Sequence, residues 1–306
     1  MSKTSKGCLF VIAAALCWSC GGVFLKFIDA DIWMISSIRY LTGFIGIVLL
    51  SRSLPVFFIR DQEGKISRND TILLWLGAFV FVICSFLYVV ANRMTTAANA
   101  IFLQYTNPVW IIILGPFILK EKNTLIDYLT IIGVFAGMLL FFANELKSGT
   151  QNIDSVSMTG NIMAIISGFF MAFYTMLMRK QKNGSSVYSS MLSQLMGAII
   201  FLPFLFTEKL PSTGSIVFIT LTGLINGSMA VFFYPLGLKY IPALSASLIS
   251  IIEPLTNPLW VFIFAGEKPS FLSIIGGILI LTFVAIRTVI QLKKEKSLKE
   301  AADEHI

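Results

Sequence analysis

Two apolar stretches of this chain place polar side chains beside prolines. The first holds Asn99, Gln104, Thr106, Asn107, Pro108 and Trp110, and the second holds Ser250, Glu253, Pro254, Asn257, Pro258 and Trp260. Glu253 is the only acid well inside an apolar stretch. Burial disfavours the charged form of a carboxyl, so Glu253 is suited to exchanging a proton or holding a cationic group. Proline has no N–H: Pro108 leaves the carbonyl of Gln104 without its helical donor, Pro254 that of Ser250, and Pro258 that of Pro254. At about 100° per residue, Asn99, Thr106, Asn107 and Trp110 share one helix face, and Ser250, Glu253, Asn257 and Trp260 a narrower one. Loosened carbonyls beside convergent side chains can bind a small polar solute. The bland reading is a kinked helix whose Asn and Glu satisfy its own backbone.

The elements that carry these residues follow from composition. Apolar residues make up 56% of the 306, charged residues 13%, and mean hydropathy is +0.83, whereas soluble domains carry about 25% charge. A helix of about 20 residues crosses the roughly 30 Å hydrocarbon core of a bilayer. Ten stretches meet that length: 7–27, 32–50, 71–91, 97–119, 125–143, 160–178, 187–206, 216–234, 243–264 and 271–290. The first is expected to be a retained span and not a cleaved leader, since its apolar run is long and no small-residue cleavage site follows. With the N-terminus inside, seventeen Lys and Arg fall in cytoplasmic segments and four outside, which predicts both termini cytoplasmic. The formal charge of +7 is then a matter of topology, and no nucleic-acid partner is implied.

The chain is also repeated. Gly77, Tyr88, Ala97, Ala100, Pro108 and Glu121-Lys122 recur 146 residues later as Gly223, Tyr234, Ala243, Ala246, Pro254 and Glu267-Lys268. Gly7, Lys26 and Ser36-Ser37 recur at a spacing of 153 as Gly160, Arg179 and Ser189-Ser190. The predicted domains are a first repeat at 7–143, a linker at 144–159, a second repeat at 160–288 and a cytoplasmic tail at 289–306. The fold class is therefore an all-α integral membrane protein of ten transmembrane helices in two five-helix repeats. An odd number of spans per repeat inverts the second copy, and polar breaks near the midplane of both copies are the expected pointer to a transporter's binding site. Asn107 and Glu253 occupy equivalent positions.

Other residues enter with narrower roles. Arg39 lies about seven residues, roughly 10 Å, below a helix end, and with Glu253 it would supply two poles for a zwitterion. Lys26 is expected to snorkel. Trp110 and Trp260 are candidate walls around a solute, Trp18 lies near the polar stripes, and Tyr88 and Tyr234 read at least as well as interfacial anchors as gates. Glu121-Lys122, followed by Asn123, and Glu267-Lys268 read as turn and helix-start devices. Glycines at 43, 46, 133, 137, 276 and 277 mark close helix contacts. Cys8, Cys17, Cys20 and Cys84 all fall within spans, and the lone His305 lies in the tail, so neither a disulfide framework nor a metal centre is expected. No catalytic set and no cofactor is expected either.

Trp18 to Lys26, Arg39-Tyr40, Asn107-Pro108 to Lys120-Glu121, and Glu253-Pro254 to Gly266-Glu267 resemble the EamA-type permeases of the drug/metabolite transporter superfamily, over nearly the whole chain. The resemblance implies two tandem EamA domains that rearrange around a central cavity to move amino acids, other metabolites or toxic compounds, in some members with protons. Asn107 stands where that pattern has Glu, and Lys120 where it has Gly, which leaves one acid for a proton cycle. The expected substrate-binding set is Trp18, Arg39, Asn107, Trp110, Ser250, Glu253, Asn257 and Trp260, with Glu253 the proton-coupling residue. The expected partners are a small-molecule substrate, the bilayer and protons, and the expected location is a bacterial plasma membrane. Export of amino acids or related metabolites is the leading expectation. Uptake of a small cationic solute is its rival, and a non-transporting sensor or scaffold the alternative of another class.

Overall fold

The computed structural model describes residues 2–95, 97–141, 155–265 and 271–303. Among them the chain is helical apart from its connectors, and one isolated antiparallel bridge, Arg60 to Ile66, closes a turn in the loop after the second helix. The first repeat contains α1 (Lys3–Lys26), α2 (Ile32–Ser51), α3 (Arg68–Met94), α4 (Ala97–Gln104), α5 (Asn107–Ile118) and α6 (Leu125–Phe141). The second contains α7 (Ser155–Lys180), α8 (Ser186–Phe201), the single turn α9 (Phe204–Thr207), α10 (Thr213–Thr222), a π-helical segment (Gly223–Ala230), α11 (Val231–Leu238), α12 (Ala243–Ile249), α13 (Ile252–Ala265) and α14 (Phe271–Asp303).

Among the described residues the expected spans fall largely on helix, residues 142 and 143 of the fifth lie outside them, and the differences are local. The stretches 97–119 and 243–264 are each two helices, because proline removes a donor at the joint. The stretch 216–234 passes through the π segment, whose Gly223 and Gly227 lie against the backbone of α2. A Cβ at Gly223 would stand 2.6 Å from the carbonyl oxygen of Arg39. The last helix runs on past the expected span into the charged tail.

Among the described residues seven helical stretches are long and apolar enough to cross a membrane, and Leu125–Leu140, Ala243–Thr256 and Ile274–Ile290 are shorter apolar helices. Large apolar side chains face outward along the bundle, among them Phe117 at 81% and Phe206 at 83% exposure. An apolar exterior on that scale suits lipid and not water. The largest side chains fully buried in the interior are Tyr40, Tyr174 and Tyr234, beside methionines and aliphatics such as Met34, Ile47 and Leu74.

The helix contacts come in pairs related by exchange of the two repeats. α3 packs on α7 as α1 packs on the 213–238 run; α2 packs on the π segment as α3 packs on α8; α4 and α5 pack on α7 as α12 and α13 pack on α1. α6 and α14, the last helices of the repeats, pack on each other. Close approach there needs glycine: a Cβ at Gly137 would stand 2.6 Å from Ile280 and 3.0 Å from the carbonyl oxygen of Gly276. This joint also holds a buried ion pair. Arg287 Nε donates to Asp127 at 2.7 Å and its Nη1 to Ser245 at 2.9 Å. Arg287, counted among the seventeen basic residues assigned to cytoplasmic segments, is 7% exposed inside the bundle.

Candidate functional site

The interruptions of the two split spans sit at equivalent places. α4 gives way to α5 at Tyr105–Thr106, and α12 gives way to α13 at Ser250–Ile251, with Pro108 and Pro254 in the first turn of the helix that follows. The two joints touch. Tyr105 Oη lies 2.7 Å from Glu253 Oε2 and 2.8 Å from the carbonyl oxygen of Ser250. In the reverse direction, the Ser247 hydroxyl of α12 donates to Asn107 Oδ1. Each repeat thus presents an acceptor, Asn107 or Glu253, to a hydroxyl of the other, and Tyr105, Asn107, Ser247 and Ser250 are all buried.

Two of the carbonyls freed by the prolines, those of Gln104 and Ser250, have partners. Asn107 Nδ2 donates weakly to Gln104 O at 3.4 Å, and Ser250 O accepts from the Glu253 amide at 2.9 Å as well as facing Tyr105. The side chains therefore do satisfy the loosened backbone. The bond from Asn107 stays within its own repeat, whereas Tyr105 reaches Ser250 O from the other repeat, which a simple kink would not require.

The uniform helical stripes expected from spacing do not survive the joints. Asn99 and Asn107 belong to different helices, and Ser250 lies in the joint itself, its hydroxyl turned back to Ala246 O at 2.9 Å. A fixed 100° step assumes unbroken hydrogen bonding, which the prolines remove. The side chains of Lys26, Asn99 and Asn257 lie outside the described part.

The described contacts of the aromatic candidates are with different helices. Trp18 of α1 is tilted against Tyr234 with ring centres 5.1 Å apart, and its carbonyl accepts from Asn226 of the π segment at 3.2 Å. Trp260 of α13 donates its indole N–H to Ser19 of α1 at 2.8 Å. Trp110 of α5 meets Phe169 of α7 edge-on, and its buried Nε1 has no hydrogen-bond partner. Tyr234 is fully buried and shares a 2.9 Å hydrogen bond with Thr175, so it is a core residue and not an interfacial anchor.

Arg39 is half-buried on α2. Its Nη2 donates to Ser85 of α3 at 2.6 Å and its guanidinium lies 4.9 Å from the ring centre of Tyr40. Among the described residues it makes no ion pair, and it does not contact Glu253.

Glu121 also departs from its expected role as a local turn device. It accepts from Arg179 Nε of α7 at 2.9 Å and, through Oε2, from the amide of Ala243 at the start of α12 at 3.2 Å. Arg179 Nη1 in turn donates to the carbonyls of Leu238 and Lys239 at 2.8 and 3.3 Å. One ion pair thus caps the end of α11 and the beginning of α12. The helix after Glu121, α6, is capped instead by Asp127, which takes the Thr124 amide at 2.7 Å, while Asn123 turns back to Ile112 O.

A lipid-facing helical bundle whose halves meet through broken helices is the build of a membrane transporter, and comparison with known proteins agrees. The model of the EamA-like transporter family matches residues 5–143 and again 158–289, so the chain belongs to that family and contains its domain twice. An uncharacterized transporter YxxF of Bacillus subtilis is 24% identical over 79% of this chain and 78% of its own. An uncharacterized transporter of Archaeoglobus fulgidus is 26% identical over 90% and 94%. The uncharacterized inner membrane transporter YicL of Salmonella typhimurium is 26% identical over 94% and 96%. A solved crystal structure superposes over 95% of this chain and 99% of that one with a TM-score of 0.76 at 16% identity, which shows the fold.

The chain is accordingly an integral membrane transporter, and its family is one of transporters, not enzymes. Tyr105 and Ser247 were missed from sequence. A single tyrosine or serine in an apolar run carries no spacing signal, and their partners lie 148 and 140 residues away.

Proposed function

We propose that this transporter carries small organic solutes by alternating access, with ten spans arranged as two inverted five-helix repeats, at 7–143 and 160–288. Export of amino acids or related metabolites, driven by protons, is the leading reading. The observation that carries it is the meeting of two broken helices at equivalent positions of the repeats, joined by hydrogen bonds from each half to the other. Joints of this kind expose backbone groups to a solute at membrane depth and change when the halves rearrange.

On this reading Trp18, Arg39, Asn107, Trp110, Ser250, Glu253, Asn257 and Trp260 line the solute path. Glu253 takes and releases the coupling proton, and both termini face the cytoplasm across a plasma membrane. Arg39 has an acceptor on Ser85 but no acidic partner among the described residues, which leaves its charge available to a substrate carboxylate. Uptake of a small cationic solute is the second reading. It is favoured by Glu253, the one acid at the joints.

The test is flux of a labelled panel of amino acids, choline-like cations and other small metabolites into proteoliposomes, with and without a proton gradient. A gradient-dependent substrate whose coupling disappears in Glu253→Gln supports the reading. Coupled flux that survives Glu253→Gln unchanged removes Glu253 from the proton path.

A further inference from the structure

A tyrosine hydroxyl carries one hydrogen, yet Tyr105 Oη stands at hydrogen-bond distance from both Ser250 O, at 2.8 Å, and Glu253 Oε2, at 2.7 Å. A backbone carbonyl only accepts, and so does a carboxylate. One hydrogen cannot serve both with full strength. The pair of contacts is complete when Glu253 is protonated: the carboxyl donates to the tyrosine oxygen, and the tyrosine donates to the carbonyl.

We infer that Tyr105 is a positioning residue through which the protonation of Glu253 is relayed to the backbone joint of the second repeat. This rests on Glu253 being the proton site. In the loaded state a two-bond chain runs from Glu253 through Tyr105 of the first repeat to Ser250 O of the second. When the proton leaves Glu253 for water or a passing solute, the carboxylate takes the Tyr105 hydrogen in a charge-assisted bond. Ser250 O then keeps only the Glu253 amide, at 2.9 Å. Tyr105 neither gains nor loses a proton; its hydrogen changes acceptor. The carbonyl that loses a donor is the one Pro254 has already deprived of its helical partner, so unloading weakens the α12–α13 joint where it is least supported.

The surroundings leave Glu253 as the group that changes. Cys84 and Tyr88 of α3 and Tyr234 of α11 stand within electrostatic reach of it, and side chains of those types are neutral near pH 7. Cys17 and Cys20 of α1 stand within electrostatic reach of each other, and the Cys20 thiol donates to Leu16 O at 3.4 Å. Arg39 of α2 is bonded to Ser85, and Asp127 of α6 and Arg287 of α14 are paired together. The mirror contact, Ser247 to Asn107, ends on an amide that has no proton to lose. The relay therefore acts at one of the two joints, that of α12 and α13.

The experiment uses the full chain in lipid, with infrared difference spectra across a pH titration and flux of an identified substrate in proteoliposomes. Glu253→Gln should delete the carboxyl band. Tyr105→Phe should displace that band and move the pH profile of flux to more alkaline values by about one unit, because the charged form loses the stronger bond. If that variant does not fold, 3-fluorotyrosine at 105 retains the bond, strengthens the donor and should move the profile the opposite way. A band and profile unaltered in either Tyr105 variant would overturn the relay while leaving Glu253 as the proton site. Persistence of the parent pH dependence in Glu253→Gln would instead remove the proton site on which the relay depends.

Discussion

Asn107 and Glu253 stand at equivalent positions as an amide and a carboxyl one methylene longer, and their neighbours show what the change of functional group does. Both accept from a hydroxyl of the opposite repeat, Ser247 for Asn107 and Tyr105 for Glu253. Only the acid can alter its donor count with pH. Asn107→Asp should add a second titrating group that already has Ser247 as donor, and the pH profile of flux should acquire a second step. A single-step profile indistinguishable from the parent would show that the first joint takes no part in the proton cycle. The prolines and the acid of this site were legible in sequence because each is rare and costly inside a span. Tyr105 was not, since it is one of eight tyrosines in an aromatic-rich chain and its role exists only through a contact 148 residues away.

Two ion pairs act at the scale of helices, and they differ in burial. Asp127 and Arg287 are 9% and 8% exposed and join α6 to α14, whereas Arg179 and Glu121 are 15% and 28% exposed. Removing one partner of a deeply buried pair strands the other charge, at a cost of about 3–5 kcal/mol, while removing both is milder. Asp127→Asn should therefore lower the thermal midpoint in detergent more than Asp127→Asn combined with Arg287→Met. A double variant less stable than the single would mean that the pair stabilises outright. Arg179→Gln should also lower the midpoint, by a smaller amount, because it leaves Glu121 unpaired and withdraws a donor from Leu238 and Lys239 near the surface. Equal losses at the two sites would show that burial does not set their cost. Glu121 was read as a local turn residue because sequence offers only its neighbours; the partner it has is 58 positions away.

For the whole molecule, the pairing of helices under exchange of the repeats is the feature on which the proposed alternating access would depend, since the principal helix contacts of one half have counterparts in the other. If both termini lie inside, as the basic residues predict, a fluorescent protein fused to either end should light up in the cytoplasm, and alkaline phosphatase fused there should be inactive. Active phosphatase at the C-terminus would reverse the assignment of faces. Sequence alone determined where the helices run, because crossing hydrocarbon imposes a length and an apolarity that each segment must meet by itself. It also located the joints, because a missing proline N–H acts within one turn of its own helix. The tertiary structure decided which groups replace the lost donors, that the aromatic candidates turn to separate helices, and that Arg39 and Glu253 find different partners. Those outcomes depend on packing between segments more than a hundred residues apart, where no local pattern constrains the choice of partner.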